Sequence, residues 1–270
     1  MLIDTHTHLN FSAFDSDRDK VIKKCLDENV WMINVGTNYE TSLKAVEIAE
    51  KYNQGVYAAV GLHPINLETD LIKQKEDKDE EGRFEKGFDY GKYKQLALSS
   101  KKVVAIGEIG LDFWRRPKTT KKKEEFKQQQ KNLLLQEIKL AQELNLPIIF
   151  HCRLGFDDLL EMKEVQPPSV IHSFTGTWQQ AKRFLDMGFH LGFNGIIYKL
   201  DLKEAIQKTP LDRILIETDC PYLTPPGFSE ERNNPLGVKL IAQEIAKIKN
   251  HSLEKIAEIT FQNARKVFHI

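Results

Sequence analysis

Cysteine is scarce in this 270-residue chain, and long apolar runs are absent from it. The three cysteines, Cys25, Cys152 and Cys220, are odd in number and form no CxxC pair. A disulfide framework and a thiolate zinc site are therefore both disfavoured. No segment approaches the roughly 20 consecutive apolar residues that a membrane helix needs. We therefore expect reduced thiols and no membrane span.

The chain also has no net charge, since it contains 39 basic and 39 acidic residues. Overall charge gives no reason to expect nucleic acid, an anionic membrane or an acidic protein as partner, so a charged ligand must be argued from local clusters. The first six residues, MLIDTH, contain neither a basic leader nor an apolar run. That start predicts no signal peptide and a cytoplasmic location.

What the chain does contain is an alternation of short apolar runs with amphipathic stretches. The apolar runs predict eight buried strands, at 1–5, 30–35, 55–61, 102–108, 146–152, 169–173, 188–194 and 213–218. Apolar residues at helical spacing predict helices between and after them, at 18–29, 39–51, 123–144, 155–164, 179–187, 202–208, 236–249 and 253–268. Eight β-α units favour a closed (β/α)8 TIM barrel over an open sheet. This α/β fold would be formed by residues 1–270 as a single domain.

Two segments depart from this alternation. Residues 67–94, part of a charged insertion near 67–100, are dense in acids and bases and poor in apolar residues, which predicts an exposed and partly mobile loop. Residues 115–131 contain eight Lys or Arg against only Glu124 and Glu125. The second segment predicts a local basic surface on a neutral protein.

Histidines and acids collect where predicted strands end. Glu108 closes the fourth strand and Asp219 follows the eighth. Five of the eight histidines lie at or just past the end of a strand, namely His6, His8, His63, His151 and His172. Because the carboxyl ends of barrel strands meet at one rim, we expect these side chains to converge.

Residues of these types at this spacing indicate a metal site. His6 and His8 point to the same side of an extended chain and can bind one ion together. Six ligands exceed what one tetrahedral ion uses, which predicts two ions bridged by Glu108. The six candidates are His6, His8, Glu108, His151, His172 and Asp219. Nitrogen and oxygen ligands suit Zn, Mn, Co or Ni, with Mg also possible, and two ions about 4 Å apart favour hydrolysis.

Each candidate also has an ordinary structural interpretation when taken alone. An isolated strand-end histidine is more often packed or solvated than bound to metal. We keep that interpretation for His190, His251 and His269. His63, in the sequence GLHP, either contacts substrate or packs within a tight turn. Arg153 and Arg232 either clamp phosphate with their forked guanidinium groups or form surface ion pairs.

Aromatic residues lie in several of the predicted rim loops. They are Phe113, Trp114, Phe174, Trp178 and Tyr198. Together with the basic segment 115–131 they offer stacking faces and phosphate-attracting charge to a nucleic acid. Such aromatics often only cover the core, however, and such lysines are often only solvated.

Six motifs, in order along the chain, resemble those of the TatD family of metal-dependent deoxyribonucleases. They are DTHTHL at 4–9, GLHP at 61–64, GEIGLD at 107–112, HSFTG at 172–176, ETDCPYL at 217–223 and NAR at 263–265. The loop RNNP at 232–235 is similar to the family's RNxP. Asn10 stands where the family often has Asp, and Trp114 where a second aromatic such as Tyr is common. Neither departure removes a proposed metal ligand.

The resemblance implies a barrel that holds two divalent ions (Mg, Mn or Zn) and cleaves phosphodiester bonds with a water activated between them. By the family pattern, one ion is held by His6, His8, Glu108 and Asp219. The second is held by Glu108, His151 and His172. Asp219 and Glu108 are then the catalytic carboxylates, with Asp219 orienting the attacking water and accepting its proton. The expected substrate is single-stranded DNA, cleaved in the manner of a 3′-5′ exonuclease. We expect the protein to bind no membrane and to need no obligate protein partner.

Two other function classes remain open from the sequence. The same site could serve an amidohydrolase-type enzyme that acts on an amide, ester or lactone, because the barrel does not dictate the substrate. The charged loop at 67–94 could instead bind a protein partner, with the barrel as a noncatalytic scaffold. Six convergent metal-binding side chains argue against the scaffold, which has no need of them.

Overall fold

All eight predicted strands form in the computed structural model, which describes residues 1–73 and 84–270. Within those residues they make one parallel sheet whose strands pair in chain order, β1 to β8. The strands are β1 Leu2–Thr7, β2 Val30–Val35, β3 Val56–Val60, β4 Val103–Asp112, β5 Ile148–Arg153, β6 Ser169–Ile171, β7 His190–Phe193 and β8 Ile214–Ile216. The prediction of a TIM barrel is confirmed.

Helices follow the strands and surround the sheet. They are α1 Arg18–Asp27, α2 Tyr39–Glu50, α3 Tyr90–Leu98, α4 Thr120–Leu144, α5 Phe156–Glu161, α6 Trp178–Asp186, α7 Lys203–Lys208, α8 Val238–Lys249 and α9 Leu253–Phe268. Their first turns are set by polar caps where the sequence supplies them, as at Asn38 before α2 and Thr177 before α6. None of the helices in the described part of the chain is long and apolar enough to cross a membrane.

The barrel closes between β8 and β1, where the end of β1 meets the residues that follow β8. Thr7 forms a parallel bridge with Cys220. The backbone N–H of His8 donates to the carbonyl of Cys220 at 3.0 Å, and that of Asp219 donates to the carbonyl of His6 at 2.9 Å. Closure therefore places the HxH pair directly beside Asp219.

The barrel interior is filled by small and branched apolar side chains near the beginning of the strands. This interior cluster includes Ile3, Ile33, Val104, Ile149, Val170 and Leu215. Val267 and Phe268 of α9 pack into the same cluster. The last helix thus covers the amino-terminal end of the barrel, which leaves the opposite rim for polar chemistry.

The segment that follows β3 differs from the prediction. Residues 74–83 of the predicted insertion lie outside the described residues. Beyond them the chain forms α3, and Phe88 and Tyr93 are buried in the core. Glu85 holds this part in place, because its Oε1 accepts from the Tyr93 hydroxyl and from the Tyr39 backbone N–H, both at 2.7 Å. The expectation of an exposed loop is therefore wrong for Phe88 and for the part of the segment that forms α3.

Candidate metal centre

The carboxyl-terminal rim of the barrel brings together all six predicted ligands. His6 lies on β1 and His151 on β5. His8 and His172 directly follow β1 and β6, and Asp219 lies three residues beyond the end of β8. Glu108 lies inside β4 rather than at its end, because the strand continues to Asp112. The prediction that Glu108 closes its strand is wrong in this detail, but its side chain still faces the same centre.

A glycine allows β4 and β5 to approach closely at the site. Gly110 has a φ of +149°, and a Cβ there would lie 1.9 Å from the carbonyl oxygen of His151. No other residue fits without moving one of the two strands. The close approach brings His151 Nδ1 within 2.7 Å of Glu108 Oε1.

Glu108 is the centre of the cluster, and its two oxygens face different histidines. Oε1 lies 2.7 Å from His151 Nδ1, 3.4 Å from His172 Nε2 and 3.5 Å from His63 Nε2. Oε2 lies 3.3 Å from His6 Nε2. Such an orientation suits a carboxylate that binds one ion through each oxygen.

The HxH pair and Asp219 form the other half of the cluster. The Nε2 atoms of His6 and His8 are 3.2 Å apart, and Asp219 Oδ1 lies 3.3 Å from His8 Nε2. His8 Nδ1 donates to the carbonyl of Val35 at 2.9 Å, which places the proton on Nδ1. The lone pair of His8 Nε2 therefore faces His6 and Asp219, as a metal ligand requires.

The spacing of these donor atoms fits divalent cations. Atoms bound tetrahedrally at about 2.1 Å from one ion lie roughly 3.4 Å apart, and most of the separations given above fall close to that value. Three groups of donors each lie within 4.8 Å of one another: His6, His172 and Asp219; His6, His8 and Glu108; His63, Glu108 and His151. The buried nitrogens and carboxylate oxygens thus suit cations that prefer mixed N and O ligands.

The electrostatics of the cluster favour positive charge. Burial alone would raise the pKa of Glu108, but the surrounding imidazoles hold it well below its usual range. Burial would lower the pKa of His151, yet Asp112 and Glu108 raise it to about 9. The pKa of His172 is likewise raised to about 10 against the effect of burial, chiefly by Glu217 and Glu108. Glu108 is therefore ionised, and the cluster attracts either protons to the imidazoles or metal ions in their place.

Two carboxylates that sequence reasoning did not assign lie behind the histidines. Asp112 Oδ2 is 3.2 Å from His151 Nε2, and a Glu217 oxygen is 2.9 Å from His172 Nδ1 while accepting from the Ser173 N–H at 2.6 Å. Carboxylates in such positions orient metal-binding imidazoles and raise their basicity. Asp112 belongs to the motif GEIGLD and Glu217 to ETDCPYL. The signal available in the sequence was therefore an acidic residue at or just past the end of a predicted buried strand.

The three predicted substrate-binding residues have different surroundings. His63 serves both the turn and the centre, because its Nδ1 accepts from the Ile65 N–H at 3.1 Å and its Nε2 faces Glu108. Arg153 lines the cavity next to the centre. Arg232 pairs with Asp17 and lies over the ring of Phe14, and it is not among the cavity-lining residues. The structure therefore brings His63 and Arg153, but not Arg232, to the site.

A cavity of about 780 Å³ opens beside the centre, and His151, His172 and Asp219 form part of its wall. Of the five predicted rim aromatics, Trp114 is the one that lines it. Phe113 and Phe174 are buried in the core, while Trp178 lies under Lys208 and the Tyr198 hydroxyl donates to the backbone of α8. The cavity is therefore large enough for a small organic group beside the ligands.

Comparison with known proteins places the chain in a family. The family described as "TatD related DNase" matches residues 3–269. The "Uncharacterized metal-dependent hydrolase YabD" of Bacillus subtilis (strain 168) is 38% identical over all of both chains. The "3'-5' ssDNA/RNA exonuclease TatD" of Pantoea ananatis is 31% identical, over 99% of each chain.

Solved structures agree with this assignment. The crystal structure of YjjV, a TatD homologue from Escherichia coli K12, superimposes with a TM-score of 0.81 at 28% identity and covers 100% of this chain and 98% of that one. The similarity thus extends over the full length of the chain. The chain belongs to the TatD-related DNases, a family of metal-dependent hydrolases.

Proposed function

We propose that this protein is a deoxyribonuclease that uses two divalent metal ions to hydrolyse phosphodiester bonds in single-stranded DNA from the 3′ end. The observation that carries the proposal is the position of Glu108, with one oxygen facing His6 and the other facing His63, His151 and His172. The name of the Pantoea ananatis relative, a 3'-5' ssDNA/RNA exonuclease, supports both the substrate and the polarity.

Two sets of side chains would hold the ions, which we expect to be Mg, Mn or Zn. The first set is His6, His8, Glu108 and Asp219. The second is Glu108, His151 and His172. His63 is not counted among these ligands, because its Nδ1 accepts from the Ile65 N–H and its Nε2 therefore presents a proton rather than a lone pair. When bound, such ions neutralise charge on the phosphate oxygens and lower the pKa of a water molecule.

Asp219 is the residue that we assign to proton transfer. Its side chain is 18% exposed and lines the cavity, so it can reach a water that attacks phosphorus. Burial alone would raise its pKa, but the neighbouring imidazoles of His8, His172 and His6 keep it below the usual value. Asp219 is therefore ionised at neutral pH and can orient this water and accept its proton at a carboxylate oxygen.

Substrate phosphates would be bound by His63, by Arg153 and by the basic surface at 115–131. Arg115, Arg116 and Lys118 are exposed, which suits long-range attraction of a polyanion. Lys127 and Lys131 contribute less, because both pair with Asp158, at 3.0 and 2.6 Å. Arg232 would first have to leave Asp17, so we rank it below the other phosphate ligands.

The cellular location that we propose is the cytoplasm. Cys25, Cys152 and Cys220 are all free and buried. Unpaired thiols suit a reducing compartment better than an oxidising one.

The proposal is tested by elemental analysis combined with a chelation and metal-rescue assay on end-labelled single-stranded DNA. We expect the protein to carry two divalent ions per chain, to lose activity on chelation and to regain it with Mg, Mn or Zn. A panel of amides, esters and lactones is assayed beside the DNA. Cleavage of one of these with none of DNA would contradict the proposal and favour an amidohydrolase-type activity.

A further inference from the structure

An exposed tryptophan and an arginine are stacked at the edge of the cavity. Trp114 is 59% exposed, and the Cζ atom of Arg153 lies 4.3 Å from the centre of its ring. A guanidinium over an indole is a favourable cation–π contact that holds both groups in one orientation. The contact still leaves more than half of the tryptophan surface in solvent, beside the reaction centre.

Hydrogen bonds join this pair to the metal centre. The Trp114 backbone N–H donates to Asp112 Oδ1 at 2.8 Å, while Asp112 Oδ2 lies 3.2 Å from the ring of His151. The Phe113 N–H donates to the carbonyl of Arg153 at 2.9 Å. Trp114 and Arg153 therefore extend from the ends of β4 and β5, the two strands that supply Glu108 and His151.

The surroundings of the pair suit an aromatic and negatively charged ligand. Leu154 and Leu200 line the same cavity, although they are 56% and 45% exposed, so three of the large exposed apolar side chains meet there. Within residues 1–73 and 84–270, no carboxylate lies within ion-pair distance of the Arg153 guanidinium. Grouped exposed apolar side chains beside an unpaired cation are typical of a binding site.

We propose that Trp114 and Arg153 form a stacking platform for an unpaired base of the nucleotide beside the scissile phosphate. The proposal rests on the proposed nuclease function and goes further by naming what selects single strands. In a duplex a base is held in the helix by its pairing partner, whereas an unpaired base is free to turn and stack on an indole. Stacking does not read the base edge, so the platform accepts all four bases.

The test compares a normal oligonucleotide with one that carries an abasic residue next to the cleaved bond. Stacking of one base contributes about 1–3 kcal/mol, so wild type should cleave the abasic strand roughly 5- to 150-fold less efficiently in kcat/KM. In Trp114→Ala this ratio should fall close to one. Trp114→Phe keeps an aromatic face and should restore most of the ratio.

A matched control comes from Trp178, a tryptophan that also lies under a cation, Lys208 at 5.3 Å, but does not line the cavity. Trp178→Ala should keep the wild-type ratio. Binding of fluorescein-labelled oligothymidylate in EDTA gives a second readout that needs no turnover. Trp114→Ala should weaken that binding, and Trp178→Ala should not.

The outcomes separate this inference from the function on which it rests. If wild type cleaves DNA and Trp114→Ala keeps the full preference for the normal strand, the platform is wrong and the nuclease function stands. If wild type neither cleaves nor binds single-stranded DNA, both proposals are wrong. A ratio that falls in Trp114→Ala and persists in Trp178→Ala supports the platform.

Discussion

Glu217 places a carboxylate oxygen 2.9 Å from Nδ1 of His172, on the side of the imidazole that faces away from Glu108. Gly192 on the neighbouring strand makes room for it, since a Cβ there would lie 2.5 Å from Glu217 Oε2. The contact favours a proton on Nδ1 and directs the lone pair of Nε2 into the centre. Glu217 thus orients His172 although it does not itself face the centre.

Glu217→Gln should weaken metal binding without disturbing the fold. Glutamine has the same size, but it lacks the charge that keeps His172 basic, so metal affinity should fall about 10- to 100-fold. Titration calorimetry with Zn or Mn on the chelated protein measures this change. An affinity equal to that of wild type would show that Glu217 does not act through His172.

Asp219→Asn should separate turnover from DNA binding. The amide cannot accept a proton from the attacking water, and loss of a general base typically costs about 10²–10⁴-fold in rate. We expect kcat on single-stranded DNA to fall by that order while KM changes little. A variant that retains full kcat would remove Asp219 from the chemical step.

Substitution of Arg115 and Arg116 by Gln should reduce the salt dependence of DNA binding. Both side chains are exposed, and each phosphate contact to a single strand contributes a slope of about −0.7 in log affinity against log salt. The double variant should therefore bind with a shallower slope, while its turnover of a small phosphodiester is unchanged. An unaltered slope would place the DNA path elsewhere on the rim.

His190 should make the metal-free protein sensitive to acid. Burial, together with the charges of nearby Arg213 and Lys266, lowers the pKa of this histidine to about 4, although Asp212 partly opposes the shift. The native state therefore favours neutral His190, and the associated stability is present above the unfolded pKa of about 6.5 and is lost as the pH falls towards 4.

Urea unfolding in EDTA, at neutral pH and near pH 4, measures this loss against His190→Gln. The free energy of unfolding of wild type should fall by about 3 kcal/mol more than that of the variant over this pH range, because each pKa unit corresponds to about 1.36 kcal/mol. Equal losses in the two proteins would show that His190 is not held neutral by burial.

The strands and the cluster of candidate ligands could both be predicted from the sequence, because both follow from local patterns. Each apolar run, like the HxH pair, is a continuous stretch of sequence that can be recognised by itself. In a TIM barrel the carboxyl ends of all strands meet at one rim, so the strand order alone predicts which side chains converge. The roles of Asp112 and Glu217 depend on which imidazole each one meets, and that depends on strand register. The pairing of Arg232 with Asp17 joins residues 215 positions apart and has no local signal.

The helix α3 was missed for a different reason. Its apolar residues Tyr93, Leu96 and Ala97 are buried, but they stand at the end of a segment whose composition is dominated by charge. Composition averaged over 67–94 therefore concealed a helix that begins only at Tyr90. Helical periodicity over a shorter window would have found it.

The measurement that tests the account most directly is the metal content of wild type and Glu108→Gln after loading with Mn or Zn and removal of free ions. Glutamine offers a single carbonyl oxygen in place of two charged ones, so it cannot serve both halves of the cluster. We predict two ions per chain in wild type and at most one in the variant, with no DNA cleavage by the variant. Two ions retained in Glu108→Gln, or none in wild type, would contradict the account.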